Sequence, residues 1–240
     1  MFPNILKSSE AHIWIVKLRA SHQDFDKSWQ VLTSSEKQHA EQFKFPHLQE
    51  NFVLTRGALR LLLAHYTNIP ERELGLRKNQ YGKPYLLAGD VHFNVSHSKD
   101  LAIIAFNKEH PIGVDVEFIQ RKPDYAAIAR RFFSPIETAA LLALPKKEQL
   151  KNFFILWTYK EAFIKAVGKG LSYNLSKFAI DLAKVYNQEK MLIKDQEALP
   201  KQTYALRTIL VSAEYYAALA TAESIATIQQ FYYPFTPIIM

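Results

Sequence analysis

Two acids stand two residues apart in Ile112-Gly113-Val114-Asp115-Val116-Glu117-Phe118. In a strand, alternate side chains share a face and their Cα atoms lie on the order of 6–7 Å apart. Ile112, Val114, Val116 and Phe118 then form an apolar face, and Gly113, Asp115 and Glu117 the opposite one. A second set, Trp157, Glu161 and Lys165, recurs every fourth residue and falls on one stripe of a helix. Three carboxylates on rigid elements are hard oxygen donors, suited to Mg²⁺ or Mn²⁺ rather than zinc. Arg56 and Arg60, one helical turn apart, suit phosphate. Each feature alone has a plainer reading. Glu161 and Lys165 make a solvated pair worth about 0.3–0.5 kcal/mol, the two acids the wet side of a strand, the arginines surface cations, and Ser96-His97-Ser98 a turn.

Composition narrows the chemistry. The chain has 240 residues, 48% of them hydrophobic, enough for one compact protein of one large domain or two packed halves. It contains no cysteine, which excludes disulfides, thiolate nucleophiles and iron–sulfur clusters and accords with the cytoplasm. No apolar run approaches the roughly 18 residues that cross a bilayer, and the first residues lack the pattern of a secretion signal. No glycine-rich dinucleotide or phosphate-loop fingerprint is present, and Ser96-His97-Ser98 lacks the surroundings of a hydrolase nucleophile. All 8 histidines lie in residues 1–110, so a histidine-rich metal site in the second half is excluded. The net charge is 30 − 23 = +7, spread over both halves, and it favours an acidic partner. A nucleic-acid binder would account for the charge but not for acids confined to one strand face.

The elements that must position these residues repeat. A shift of 101 residues lays Thr33-x-x-Glu36 on Ser134-x-x-Glu137, both capping boxes, and Asn51-Phe52 on Asn152-Phe153, both early in long helical patterns. It also lays His12–Val16 on Gly113–Glu117. At this shift Glu161 corresponds to Arg60 and Trp157 to Arg56, so cations of one half are expected to face acids of the other. Strands are expected at 11–18, 91–95, 101–106 and 112–118, and helices at 34–44, 49–66, 125–132, 135–144 and 147–167. Several short strands should follow between about 177 and 231. Tyr81-Gly82-Lys83-Pro84 reads as a turn and Ser96–Asp100 as a loop. Grouped strands and helices without regular alternation give an α+β fold, with a seam at Asn107–Pro111 between residues 1–110 and 111–240. The apolar end, Phe231–Met240, is expected to pack on the second half.

Taken together, four strings occur in order: Gly82-Lys83-Pro84, Phe93-Asn94-Val95-Ser96-His97-Ser98, Gly113-Val114-Asp115-Val116-Glu117, and Trp157-Thr158-Tyr159-Lys160-Glu161-Ala162-Phe163-Ile164-Lys165. The pattern resembles the Sfp-type 4′-phosphopantetheinyl transferases from about Ser35 to Phe178. The resemblance implies two pseudo-twofold-related lobes with the active site in the cleft between them. It implies transfer of phosphopantetheine from coenzyme A to a serine of an apo acyl or peptidyl carrier protein, releasing adenosine 3′,5′-bisphosphate. By the same resemblance Asp115, Glu117 and Glu161 are Mg²⁺ ligands (Mn²⁺ as a substitute), Glu161 or a water it orients is the base, and Lys165 serves the leaving group. His97, Ser96, Lys83, Arg56, Arg77 and Lys37 are the expected coenzyme A contacts. Ala40, Gln42 and Phe52 stand where some members carry further cations. A cytoplasmic monomer without nucleic-acid or membrane partners is implied, and the alternative is a non-catalytic binding module of the same fold. Phe118–Phe133, with Arg121, Lys122, Arg130 and Arg131, is the expected carrier-docking segment.

Overall fold

Alternation places the strands and caps bound the helices. The computed structural model describes residues 5–119, 124–198 and 201–235. The first half runs through β1 (Glu10–Lys17), α1 (His22–Val31), α2 (Ser34–Glu41), α3 (Pro46–Thr67), a hairpin of β2 (Leu76–Lys78) and β3 (Pro84–Leu86), and a hairpin of β4 (His92–Ser98) and β5 (Leu101–Asn107). The second runs through β6 (Gly113–Phe118), α4 (Tyr125–Phe132), α5 (Pro135–Ala143), α6 (Lys146–Val167), α7 (Leu182–Tyr186), β7 (Met191–Lys194), β8 (Thr203–Thr208), β9 (Tyr215–Ala222) and β10 (Thr227–Tyr232). The fold is α+β.

Both halves build a sheet in the same way. The first sheet has the order β10-β1-β5-β4 and the second β6-β9-β8-β7. In each, the opening strand lies antiparallel to the second strand of the late hairpin, β1 to β5 and β6 to β9. Side chains alternate accordingly. Trp14 and Val16 pack with Leu54, Ala58 and Leu62 of α3, while Ala11, Ile13 and Ile15 join Val114, Val116, Ala217 and Leu219 between the sheets. Ala218 and Ala220 turn the other way, toward Leu156, Phe163 and the rest of α6. The layers are therefore helix, sheet, sheet, helix.

The long helices align at a shift of 100 residues, one fewer than the capping boxes. Both have 22 residues and both end on a left-handed residue, Asn68 with φ 57° and Gly168 with φ 82°. Both capping boxes form in full. Each box glutamate also meets a buried cation of the long helix. Glu36 binds Arg60 at 2.6 Å, and Glu137 binds Lys160 at 2.8 Å. The counterpart of Arg60 is thus Lys160, not Glu161, and Arg56 corresponds to Leu156. These pairs lock helix to helix within a half. Removing one partner of such a buried pair typically costs about 3–5 kcal/mol.

The structure adds one element for which the sequence gives no expectation, and two expectations change. A helix, α1, occupies residues 22–31, with Ser21 accepting from the Asp24 backbone N–H. Strand β4 continues through Ser98, so Ser96, His97 and Ser98 are strand residues, and only Lys99 (φ 52°) and Asp100 turn the hairpin. The C-terminal strand β10 pairs in parallel with β1, crossing the seam expected near residue 110. Phe231 stacks on Trp14 at 4.9 Å and meets His12 edge-on at 5.2 Å, so this segment packs on the first half, not the second. Residues 236–240, like Arg121 and Lys122, lie outside the described residues.

Candidate active site

Gly113 determines how close α6 comes to β6. A Cβ at this position would lie 2.1 Å from the Ala162 carbonyl oxygen and 2.3 Å from the Ala166 nitrogen, so only glycine lets the helix backbone settle on the strand. The same face of β6 carries Asp115 and Glu117, and Glu161 and Lys165 flank the contact residues on the helix. Lys165 Nζ lies 2.6 Å from Asp115 Oδ1 and 3.0 Å from Ser96 Oγ, and Ser96 donates to the same carboxylate oxygen at 2.9 Å. Asp115 is buried at 3% exposure, and its Oδ2, also buried, has no hydrogen-bond partner among the described residues. Burial raises the Glu161 carboxyl to a pKa of about 7, with Asp115 adding to the rise, Lys165 opposing it and Glu117 contributing less. Among the described residues no three acidic or histidine side chains already form a cage for a metal ion.

The acids therefore face their own half's helix, and the other half reaches them from the side through β4. His97 follows Ser96 and is exposed; the protein around its ring and the Lys165 ammonium lower its pKa. Lys83 crosses from the hairpin turn to the C-terminal end of α6, donating to Ala166 O at 2.9 Å and Ile112 O at 3.2 Å, and burial lowers its pKa to about 8. Asn79 donates to Gly168 O at 2.8 Å beside it, a cap on α6 supplied by the first half.

The remaining candidates lie apart from this cluster. Arg56 is ion-paired to Glu36, whose carboxyl is raised by burial but drawn down to about 2 by Arg60 and Arg56 together. The expectation that Arg56 and Arg60 face the acids of β6 is thus corrected: both neutralise Glu36 in their own half. Lys37 stands 5.7 Å from the Trp29 ring centroid. Arg77 is exposed on β2. Arg130 and Arg131 are exposed at the end of α4. Sequence reasoning missed Asn94, Ser98, Asn79 and the Glu137–Lys160 pair. The alternation in Asn94-x-Ser96-x-Ser98 is the available signal for the first two, hidden by ending the strand at residue 95 and reading Ser96–Asp100 as a loop.

The comparisons with known proteins converge. Residues 17–109 match the model described as 4′-phosphopantetheinyl transferase, N-terminal, and residues 111–220 match the 4′-phosphopantetheinyl transferase superfamily. The chain is 36% identical over 177 residues to the 4′-phosphopantetheinyl transferase HetI of Nostoc sp., covering 71% of this chain and 74% of that protein. It is 38% identical over 169 residues to 4′-phosphopantetheinyl transferase psf-1 of Bacillus pumilus (70% and 71%). It is 41% identical over 125 residues to 4′-phosphopantetheinyl transferase Sfp of Bacillus subtilis (52% and 54%). The chain belongs to the 4′-phosphopantetheinyl transferase superfamily, among the Sfp-type members. It is a transferase that passes phosphopantetheine from coenzyme A to carrier proteins. No helix among the described residues is long and apolar enough to cross a membrane.

Proposed function

We propose that Asp115, Glu117 and Glu161 hold Mg²⁺, or Mn²⁺ in its place, and that Glu161 and Lys165 manage the proton and the leaving group. The observation that carries this reading is Asp115. One of its oxygens is engaged by Lys165 and Ser96, and the other is buried with no partner among the described residues. A buried acceptor without a partner costs about 1–3 kcal/mol, and more when charged, and a hard cation relieves that cost. When bound, the ion would neutralise the pyrophosphate of coenzyme A.

The carrier serine oxygen then forms a bond to the β-phosphorus as the bond to the nucleotide-side oxygen breaks, and adenosine 3′,5′-bisphosphate departs. The serine proton passes to Glu161, directly or through a water, and a carboxylate poised near neutrality suits that task. Lys165 faces the departing phosphate. His97 and Lys83 adjoin this cluster and serve as coenzyme A contacts, and Ser96, whose hydroxyl is committed to Asp115, Val116 and Lys165, assists by holding those groups. Arg56, Arg77 and Lys37 reach the nucleotide phosphates from farther out, Arg56 sharing its charge with Glu36. Residues 1–110 contribute mainly to coenzyme A binding and residues 111–240 to metal binding and catalysis. One chain supplies every residue named, which supports a monomer, and the absence of cysteine supports a cytoplasmic setting.

Glu161→Gln keeps the size of the side chain and removes its charge and basicity. It should lower kcat far more than it raises KM for coenzyme A. In the wild type, Glu161 is protonated and idle below its pKa of about 7, so kcat/KM should fall as pH drops through that value at limiting Mg²⁺. Raising Mg²⁺ should move the limb to lower pH, because ion and proton compete for one carboxylate. A Gln variant with normal kcat, or one that retains the limb, would refute the assignment.

A further inference from the structure

Strand β6 is the edge of its sheet, hydrogen-bonded on one side to β9. The N–H groups of Val114, Val116 and Phe118 on its other edge would lack strand partners. Side chains of β4 supply them. Asn94 Oδ1 accepts from Val114 N at 2.9 Å, Ser96 Oγ from Val116 N at 3.3 Å, and Ser98 Oγ from Phe118 N at 3.1 Å, each across a separation of 20 residues. The two hydroxyls also donate, Ser96 to Asp115 Oδ1 at 2.9 Å and Ser98 to Glu117 Oε2 at 3.3 Å, each across a separation of 19. At the Asn94 rung the corresponding residue is Gly113, which has no carboxylate to receive a donor. Serine thus stands where both an acceptor and a donor are needed, and a hydroxyl offers both.

We infer that Asn94, Ser96 and Ser98 form a ladder that joins the two halves, and that its serines are positioning residues aiming the acids of β6. Ser98, through Glu117, sets the affinity of the site for its divalent cation. The inference rests on the metal reading above. Hydrogen-bond partners of metal ligands typically change affinity by about 10–100-fold when lost.

The test is Mn²⁺ binding to the free enzyme without coenzyme A, by calorimetry or electron paramagnetic resonance, alongside Tm. Ser98→Ala should bind Mn²⁺ about tenfold more weakly, and Ser98→Thr, which restores the hydroxyl, should recover the wild-type affinity. Asn94→Ala breaks a rung that touches no acid. It should lower Tm and leave Mn²⁺ affinity within about twofold of wild type, below the range for a lost ligand partner. If Ser98→Ala does not fold, Ser98→Cys replaces it, filling the space with a poor donor and showing the same loss. Wild-type affinity in Ser98→Ala or its replacement Ser98→Cys, a tenfold loss that persists in Ser98→Thr, or an equal loss in Asn94→Ala, overturns the inference. If the wild type itself binds no Mn²⁺, the metal reading falls and the inference with it. Wild-type binding with an unaffected Ser98→Ala overturns the inference alone.

Discussion

Asp115→Ala is expected to remove nearly all Mg²⁺-dependent transfer. Partners one shell out from a metal typically matter about 10–100-fold, and loss of a ligand should exceed that, so turnover should drop about a hundredfold or more. Asp115 also receives Lys165 and Ser96, at 2.6 and 2.9 Å, so the alanine frees the ammonium proposed to serve the leaving phosphate. Asp115→Asn separates the two effects. It keeps an acceptor for Ser96 and loses the charge, and it should be nearly as inactive as the alanine while folding as the wild type does. Turnover within a few-fold of wild type at ordinary Mg²⁺, in either variant, would remove Asp115 from the metal shell.

Gly113→Ala is the second large effect, and it acts without touching a charge. The added methyl would meet the Ala162 carbonyl oxygen at 2.1 Å and the Ala166 nitrogen at 2.3 Å, both backbone atoms that cannot swing aside. Either α6 lifts or β6 retreats. Overpacking of this kind costs about 1–3 kcal/mol, and Glu161 and Lys165 ride on the displaced helix. A misplacement near 1 Å can cost on the order of a hundredfold in rate, so kcat should collapse together with a lowered Tm. Wild-type Tm and kcat would mean that the close approach of strand and helix does not position the site.

Much of this arrangement was legible from alternation, caps and strings. The period of two in Ile112–Phe118 set Asp115 and Glu117 on one face, and the capping boxes at Thr33 and Ser134 placed α2 and α5. Other features were not legible, for physical reasons. Ser96-His97-Ser98 is polar and lacks apolar alternation, yet it is strand, because its serines bond the edge of β6 instead of packing in a core. The register of the long helices differs by one residue from that of the capping boxes, and it shows only in the folded helix ends and in the pairing of Arg60 with Glu36 and of Lys160 with Glu137. Misreading that register assigned Arg60 a place opposite the acids, whereas it is a buried counter-ion. The parallel pairing of β10 with β1 joins residues more than 200 positions apart, which no local pattern encodes. Phe231 on Trp14 is the packing that holds it there.

The most direct test of the central claim is mass spectrometry of an apo carrier protein incubated with this enzyme and coenzyme A, with Mg²⁺ or with a chelator. The account predicts a mass gain of one phosphopantetheine on the carrier serine, together with release of adenosine 3′,5′-bisphosphate. With chelator the gain should vanish, and it should return when Mg²⁺ or Mn²⁺ is restored. Transfer that proceeds undiminished under chelation would contradict the role given to Asp115, Glu117 and Glu161.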